Sequence, residues 1–174
     1  MVTHRPRLQV NPRILLGICL ALGAAGVGAW VLTERSEMEQ DADERVEADS
    51  AVYLTPFGAP TRPFSPAVRV DGLIFLSGQI GTDASASGSL VAGGIEAETK
   101  QTLENIKRTL EAIGSSMDKV VKCTVMLADM KEWETMNGVY RTYFSPGRLP
   151  ARSALGANGL ALGARVEIEC IATR

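Results

Sequence analysis

The residues best suited to chemistry in this chain are an arginine and a glutamate near its C-terminal end. Arg152 lies in the segment 149–156, which contains no acidic residue to pair with it. Glu167 lies in the segment 166–172, which has the alternating pattern of a strand. A guanidinium can bind a carboxylate through two hydrogen bonds, and a carboxylate can accept and return a proton. The pair predicts a minimal site for a small anionic substrate; the alternative is a surface arginine and a solvated glutamate.

Several other kinds of chemistry are excluded by the residues that remain. The single histidine is His4, far from the C-terminal domain, so histidine-based nucleophile systems and histidine-rich zinc sites have no support. Neither a P-loop nor a strand-linked glycine fingerprint for nucleotides occurs. The sequence patterns therefore give no support for a histidine-rich zinc site or for nucleotide binding.

Charge and hydropathy divide the chain into four parts. Residues 1–13 form a basic tail with three arginines, and 14–32 is an apolar run without a charge. Residues 33–51 hold eight acids and two bases, a composition typical of a solvated linker. Residues 52–174 hold thirteen bases and twelve acids, which predicts a near-neutral domain that binds no nucleic acid.

The apolar run is long enough to cross a membrane as a helix. Nineteen residues at 1.5 Å each match a hydrocarbon core of roughly 30 Å. Basic residues before the run and acidic residues after it predict a cytoplasmic N-terminus. We therefore expect an inner-membrane signal anchor with the domain on the periplasmic side. The alternative is a signal peptide cleaved near residues 27–29, followed by secretion.

Hydrophobic periodicity predicts an α+β domain over residues 52–174. A hairpin is expected at Asp71-Gly72, a helix over 95–113, a strand over 120–127, a second helix from Asp129 to Tyr143, and one or two final strands ending with 166–172. Residues 78–94 read as a loop. This order favours a single mixed sheet with both helices on one face.

The two faces of strand 120–127 have different compositions. Val121, Cys123, Val125 and Leu127 are expected to face the core. The opposite face joins Val120, Lys122, Thr124 and Met126 to Glu167, Glu169 and Ile171 of the last strand. That mixture is too apolar for open water and too polar for a dry core, so it predicts a subunit interface in a homo-oligomer.

Two side-chain pairings are suggested by residue spacing and position. Glu104 and Arg108 are spaced as an i,i+4 ion pair on the solvent side of the first helix. Cys123 and Cys170 both fall in predicted strands and are expected to be small core residues. A disulfide between them is an open alternative in an oxidising compartment.

Five short motifs also occur in the order found in a known family. They are Pro63-Phe64-Ser65-Pro66-Ala67-Val68, Leu76-Ser77-Gly78-Gln79-Ile80, Asn137-Gly138-Val139-Tyr140, Pro150-Ala151-Arg152-Ser153 and Val166-Glu167-Ile168-Glu169. On these motifs the domain resembles the RidA/YjgF/L-PSP (reactive intermediate deaminase) family. The resemblance implies a chorismate-mutase-like fold, a homotrimer with ligand clefts between subunits, and no cofactor. It also implies hydrolysis of enamine and imine acids, such as 2-aminoacrylate and 2-iminopropionate, to 2-keto acids and ammonia.

The same resemblance assigns roles to individual residues. Arg152 matches the arginine that binds the substrate carboxylate, and Glu167 matches the glutamate linked to the attacking water. Ser77, Gly78 and Asn137 match residues that line the cleft. Phe64 stands where deaminating members often have tyrosine, so the cleft lacks a hydroxyl. The alternative function is a trimeric module, chaperone-like or binding small carboxylates, without catalysis.

Overall fold

The computed structural model describes residues 51–59, 61–83 and 88–174. The sequence-based predictions for the basic tail (1–13), the membrane or signal segment (14–32) and residues 33–50 of the acidic linker lie outside these residues. Within the described part of the chain, no helix combines the length and the apolar character needed to cross a membrane.

Seven strands and two α-helices make up the described fold. The strands are β1 (Val52–Leu54), β2 (Ala67–Val70), β3 (Leu73–Leu76), β4 (Gln79–Ile80), β5 (Val120–Leu127), β6 (Ala151–Gly156) and β7 (Val166–Thr173). The helices are α1 (Gly94–Ala112) and α2 (Trp133–Tyr140). Short 3₁₀ turns occur at Met117–Lys119, Met130–Glu132, Arg141–Tyr143 and Ala161–Gly163.

The strands form one mixed sheet in the order β1-β2-β3-β7-β5-β6, with β4 paired to β7. The pairing of β5 with β6 is parallel, and the other pairings are antiparallel. Both helices pack on one face, where Leu103 and Ile106 of α1 and Met136 of α2 meet Val125 and Ile168 of the central strands. The predicted α+β sheet with two helices on one face is therefore confirmed.

Local sequence signals explain the ends of several elements. β2 and β3 are joined at Asp71-Gly72 as predicted, with Asp71 in the left-handed region at φ 51°. Helix α1 follows Gly93 and is stopped before Gly114, which adopts φ 79° where a side chain would be strained.

Some local predictions were wrong. β4 lies in a stretch that was predicted as loop, and β1 was not predicted. A register shift between Val120 and Lys122 reverses the first residues of β5, so that Val120 is buried and Val121 exposed. Glu104 and Arg108 do not pair, because Glu104 accepts a hydrogen bond from the Tyr143 hydroxyl at 2.8 Å.

Cys123 and Cys170 are opposite one another on the adjacent strands β5 and β7 and form a disulfide. Both are buried in the core, as predicted, and the disulfide that the sequence left open is present in this structure. The bond links the two central strands of the sheet.

This disulfide should contribute measurably to stability. It spans 47 residues, and closing a loop of that size in the unfolded chain is expected to contribute about 3–4 kcal/mol. Denaturant unfolding of the full chain should show a loss of this size when reductant is added. The Cys123→Ala/Cys170→Ala variant is the control, since its unfolding should not respond to reductant. Equal stability of the wild type with and without reductant would contradict a stabilising disulfide.

Candidate functional site: two half-sites on opposite faces of the sheet

Arg152 lies on β6 and is directed toward the helices. Its backbone partner in the parallel register is Cys123, which faces the core, and its side chain contacts α2. The Nη1 atom donates to Oδ1 of Asn137 at 2.8 Å. The guanidinium carbon lies 4.6 Å from the centroid of the Tyr140 ring and 5.7 Å from that of Trp133. The structure therefore brings together two of the predicted site residues, Arg152 and Asn137.

The surroundings of Arg152 are aromatic and amide groups rather than acids. The ring faces attract the guanidinium through their quadrupole, and the amide oxygen orients one N–H group. Burial raises the pKa of Tyr140 to about 12, although the charge of Arg152 opposes that rise, so the ring remains a neutral phenol at physiological pH. Since no described carboxylate pairs with Arg152, its other N–H groups are available to bind an anion.

Tyr140 and Trp133 were predicted only as residues of the second helix, from Asp129 to Tyr143. Their role beneath Arg152 was missed because it depends on the parallel pairing of β5 with β6, which the sequence does not specify. The Tyr140 hydroxyl is buried and has no hydrogen-bond partner among the described residues. The contact of Tyr140 with Arg152 is therefore made by the ring face.

Glu167 lies on the other face of the sheet. Its neighbours Val166 and Ile168 belong to the core, so Glu167, between them, is directed away from the helices. Its backbone partners are Met126 of β5 and Ile80 of β4. The side chain is half-buried.

Gly78 makes room for the Glu167 carboxylate. A Cβ atom at position 78 would lie 2.0 Å from Oε1 of Glu167, closer than any real contact. A side chain at position 78 would displace the carboxylate from this place against the backbone. The structure therefore brings together Glu167 and Gly78, two of the predicted site residues.

Ser77 is held by hydrogen bonds to the segment that follows Phe64. The Ser77 hydroxyl donates to the backbone oxygen of Ser65 at 2.7 Å, and its amide donates to that of Pro66 at 3.1 Å. These bonds fix the segment after Phe64 beside Gly78. Phe64 itself is 45% exposed, so its ring is accessible to a ligand or a partner chain.

The two principal site residues are not brought together within one chain. β5 separates β6 from β7, so Arg152 and Glu167 lie on strands that are about two strand spacings, roughly 10 Å, apart. The two residues are also offset along the strands, because Arg152 is level with Cys123 and Cys170, whereas Glu167 is level with Met126. They also lie on opposite faces, because Arg152 contacts α2 and Glu167 faces away from both helices. The pair of residues predicted from the sequence is thus not assembled within a single chain. Each chain instead presents two separate groups, Arg152 with Asn137 and Glu167 with Gly78, which we call the two half-sites.

The face around Glu167 is partly apolar and uncovered. It includes Phe75, Ile171, Lys122, Thr124 and Glu169, which surround a small cavity of about 190 Å³. Phe75 and Val121 are each more than 40% exposed. Among the described residues, no group of three or more His, Cys, Asp or Glu side chains could hold a metal ion.

The chain matches a known family model over residues 57–174, described as endoribonuclease L-PSP. The chain belongs to this family. Membership of the RidA/YjgF/L-PSP family, predicted from the five motifs, is thus confirmed.

Curated relatives and solved structures agree with this assignment. A mouse 2-iminobutanoate/2-iminopropanoate deaminase is 51% identical over 123 residues, which cover 71% of this chain and 90% of the mouse protein. The chloroplastic Reactive Intermediate Deaminase A of Arabidopsis thaliana is 42% identical over 165 residues, which cover 94% of this chain and 87% of the Arabidopsis protein. A putative endoribonuclease L-PSP from Entamoeba histolytica superposes with a TM-score of 0.64 at 40% identity, covering 72% of this chain and all of that one. YyfA from Yersinia pestis superposes with a TM-score of 0.66 at 35% sequence identity, and the match covers 72% of this chain and 100% of that one.

Proposed function

We propose that this protein hydrolyses short 2-imino acids and their enamine tautomers to 2-keto acids and ammonia. The observation on which the proposal mainly rests is Arg152, a half-buried guanidinium bound to Asn137 and packed on two rings, with no described acid beside it. Proteins named as 2-iminobutanoate/2-iminopropanoate deaminases are identical to this chain at about half of the aligned positions, which supports the same reaction.

The reaction follows from the chemistry of these groups. Arg152 binds the substrate carboxylate and places the C=N carbon near a water molecule. Glu167 accepts a proton from that water as its oxygen adds to the carbon, and returns this proton to the imine nitrogen to give a carbinolamine. Glu167 then takes the hydroxyl proton and passes it to the nitrogen as the C–N bond breaks, so that ammonia leaves and the 2-keto acid is released.

We also propose that the active site forms between subunits of a homotrimer. One chain supplies Arg152 and Asn137, and its neighbour supplies Glu167 and Gly78. The position of these half-sites on opposite faces of the sheet supports this arrangement, as does the uncovered face that includes Phe75 and Val121.

Two substitutions test the assigned roles. Arg152→Ala should lower kcat/KM for 2-iminobutanoate by about 10²-fold, since two charge-assisted hydrogen bonds of about 1.5 kcal/mol each are lost. Glu167→Gln should lower kcat by about 10²–10⁴-fold with little change in KM, because the amide cannot accept a proton. The imine is generated in situ by an amino-acid oxidase, and keto-acid release is compared with spontaneous hydrolysis. Arg174→Ala is the control, since Arg174 follows the end of β7 that is remote from Glu167.

The same measurement separates the proposal from its alternative. A wild-type chain that binds 2-oxobutanoate through Arg152 but does not accelerate keto-acid release would be the non-catalytic carboxylate-binding module. Wild-type rates in both variants would remove these residues from the reaction.

Mixing the two variants tests the intersubunit site directly. Chains carrying Arg152→Ala and chains carrying Glu167→Gln are co-expressed with different tags, and the mixed oligomers are isolated. In every mixed trimer, about a third of the intersubunit sites combine an intact Arg152 from one chain with an intact Glu167 from the next. Activity should therefore return to a substantial fraction of the wild-type value. If both groups act within one chain, the mixed oligomers will be as inactive as the separate variants.

We further propose that the domain lies outside the cytoplasm. The disulfide between Cys123 and Cys170 supports this location, because cytosolic thiols are kept reduced, as does the apolar run 14–32. Cells are quenched in acid, and the denatured chain is alkylated before and after reduction. Both cysteines should be labelled only after reduction. Labelling before reduction would place the domain in a reducing compartment.

A further inference from the structure

Three residues that contact Arg152 share one face of helix α2. Trp133, Asn137 and Tyr140 are spaced at i, i+4 and i+7, which places them on a single stripe of an α-helix. The helix is eight residues long, so this stripe runs along its whole length. The hydrogen bond of Arg152 and both of its ring contacts are therefore made by one short helix.

The rings and the amide restrain the guanidinium of Arg152 in different ways. Its carbon lies 4.6 Å from the ring centroid of Tyr140 and 5.7 Å from that of Trp133, both within the roughly 6 Å of a cation–π contact. The Asn137 oxygen accepts a hydrogen bond from Nη1 at 2.8 Å. The ring faces thus restrain the position of the charge, and the hydrogen bond restrains its rotation.

The two rings are themselves held in place by the core. The Tyr140 side chain is 5% exposed, and its ring centroid lies 4.8 Å from that of Phe144, which is also buried. Trp133 is half-buried and packs against the same core cluster. Close packing of this kind leaves the rings little freedom to move with a ligand. We call Trp133 and Tyr140 the aromatic platform.

Arg152 needs such support because of its place in the sheet. β6 is an edge strand, so among the described strands only β5 lies beside it. An arginine has several rotatable bonds, and it loses their freedom when it binds a carboxylate through two hydrogen bonds. A guanidinium that is already ordered avoids this loss when the ligand arrives and therefore binds it more tightly.

We infer that the aromatic platform positions Arg152 and thereby sets the affinity of the site for the substrate carboxylate. The inference rests on the proposed function and adds to it two positioning residues, Trp133 and Tyr140, which act through Arg152. The carboxylate keeps its charge during the reaction, so the platform contributes equally to binding of the substrate and of the transition state. Loss of a ring therefore raises KM and leaves kcat little changed.

Single substitutions in the full-length protein test the platform. Trp133→Leu and Tyr140→Leu remove a ring but keep an apolar side chain, and each should raise KM for 2-iminobutanoate about tenfold, the effect of losing one partly desolvated cation–π contact. Tyr140→Phe keeps the ring and should restore the wild-type KM, because the buried hydroxyl that it removes has no hydrogen-bond partner among the described residues. The imine is generated in situ as before.

Tyr143→Leu is the matched control for these variants. Tyr143 lies in the 3₁₀ turn that follows α2, and its hydroxyl donates to Glu104. The control removes an aromatic ring close to the same helix but outside the platform, so KM should not change. The melting temperature is recorded for every variant. If Tyr140→Leu does not fold, the half-buried Trp133 provides the test.

A double-mutant cycle separates positioning of Arg152 from general damage to the fold. The two leucine substitutions are repeated in the Arg152→Ala chain, where kcat/KM should fall no further, because the platform then has no guanidinium to hold. A further loss of similar size in that chain would overturn the inference. So would a wild-type KM in the leucine variants, an equal rise in Tyr143→Leu, or a Tyr140→Phe variant as impaired as Tyr140→Leu.

A binding measurement distinguishes failure of this inference from failure of the proposed function. If the wild type hydrolyses no imine, the deaminase proposal fails, and the dissociation constant of 2-oxobutanoate is measured by calorimetry for the same proteins. A rise of about tenfold in the leucine variants of the platform, absent from Tyr143→Leu, supports the inference. An unchanged dissociation constant, or no binding by the wild type, overturns it.

Discussion

Side chains along a strand alternate between the two faces of a sheet, and this constraint governs the whole arrangement. Arg152 shares the face of Cys123, its partner in the parallel β5–β6 pairing, and meets helix α2 there. Glu167 on β7 shares the face of Met126, its partner on β5, and is directed away from the helices. No rotamer change within one chain can bring the guanidinium and the carboxylate to one short substrate. In the proposed trimer, assembly and activity become inseparable.

Two different kinds of side-chain contact are seen among the described arginines. Arg165 pairs with Glu132, and that carboxylate raises the pKa of the Arg165 guanidinium, so its charge is used within the fold. Arg152 and Arg108 pack on rings instead and form no ion pair with a described carboxylate. An aromatic ring orients a guanidinium without neutralising it, so the charge remains available to an external anion. This difference separates candidate ligand-binding arginines from structural ones more clearly than exposure does.

The sequence predicted those elements whose signals are local. Helix α1 and the turn at Asp71-Gly72 follow from periodicity and turn chemistry, and the family motifs located Arg152 and Glu167. The short strands β1 and β4 were missed because two or three residues have no periodicity, and their pairing depends on distant partners. The burial of Val120 instead of Val121 depends on a bulge that is visible only against β7. The faces occupied by Arg152 and Glu167 likewise required the strand order.

The disulfide adds a further reason for the strand order to matter. Cys123 lies beside both Arg152 on β6 and Cys170 on β7, and Cys170 is on the same strand as Glu167. The disulfide therefore joins β7, which contains Glu167, to β5, which is paired with the strand that contains Arg152. In the proposed trimer, every chain would contribute one half-site to each of two clefts, so any shift of β7 against β5 would be repeated at every cleft. By linking β5 to β7, the disulfide holds the strand that carries Glu167 in a fixed register against the neighbour of the strand that carries Arg152.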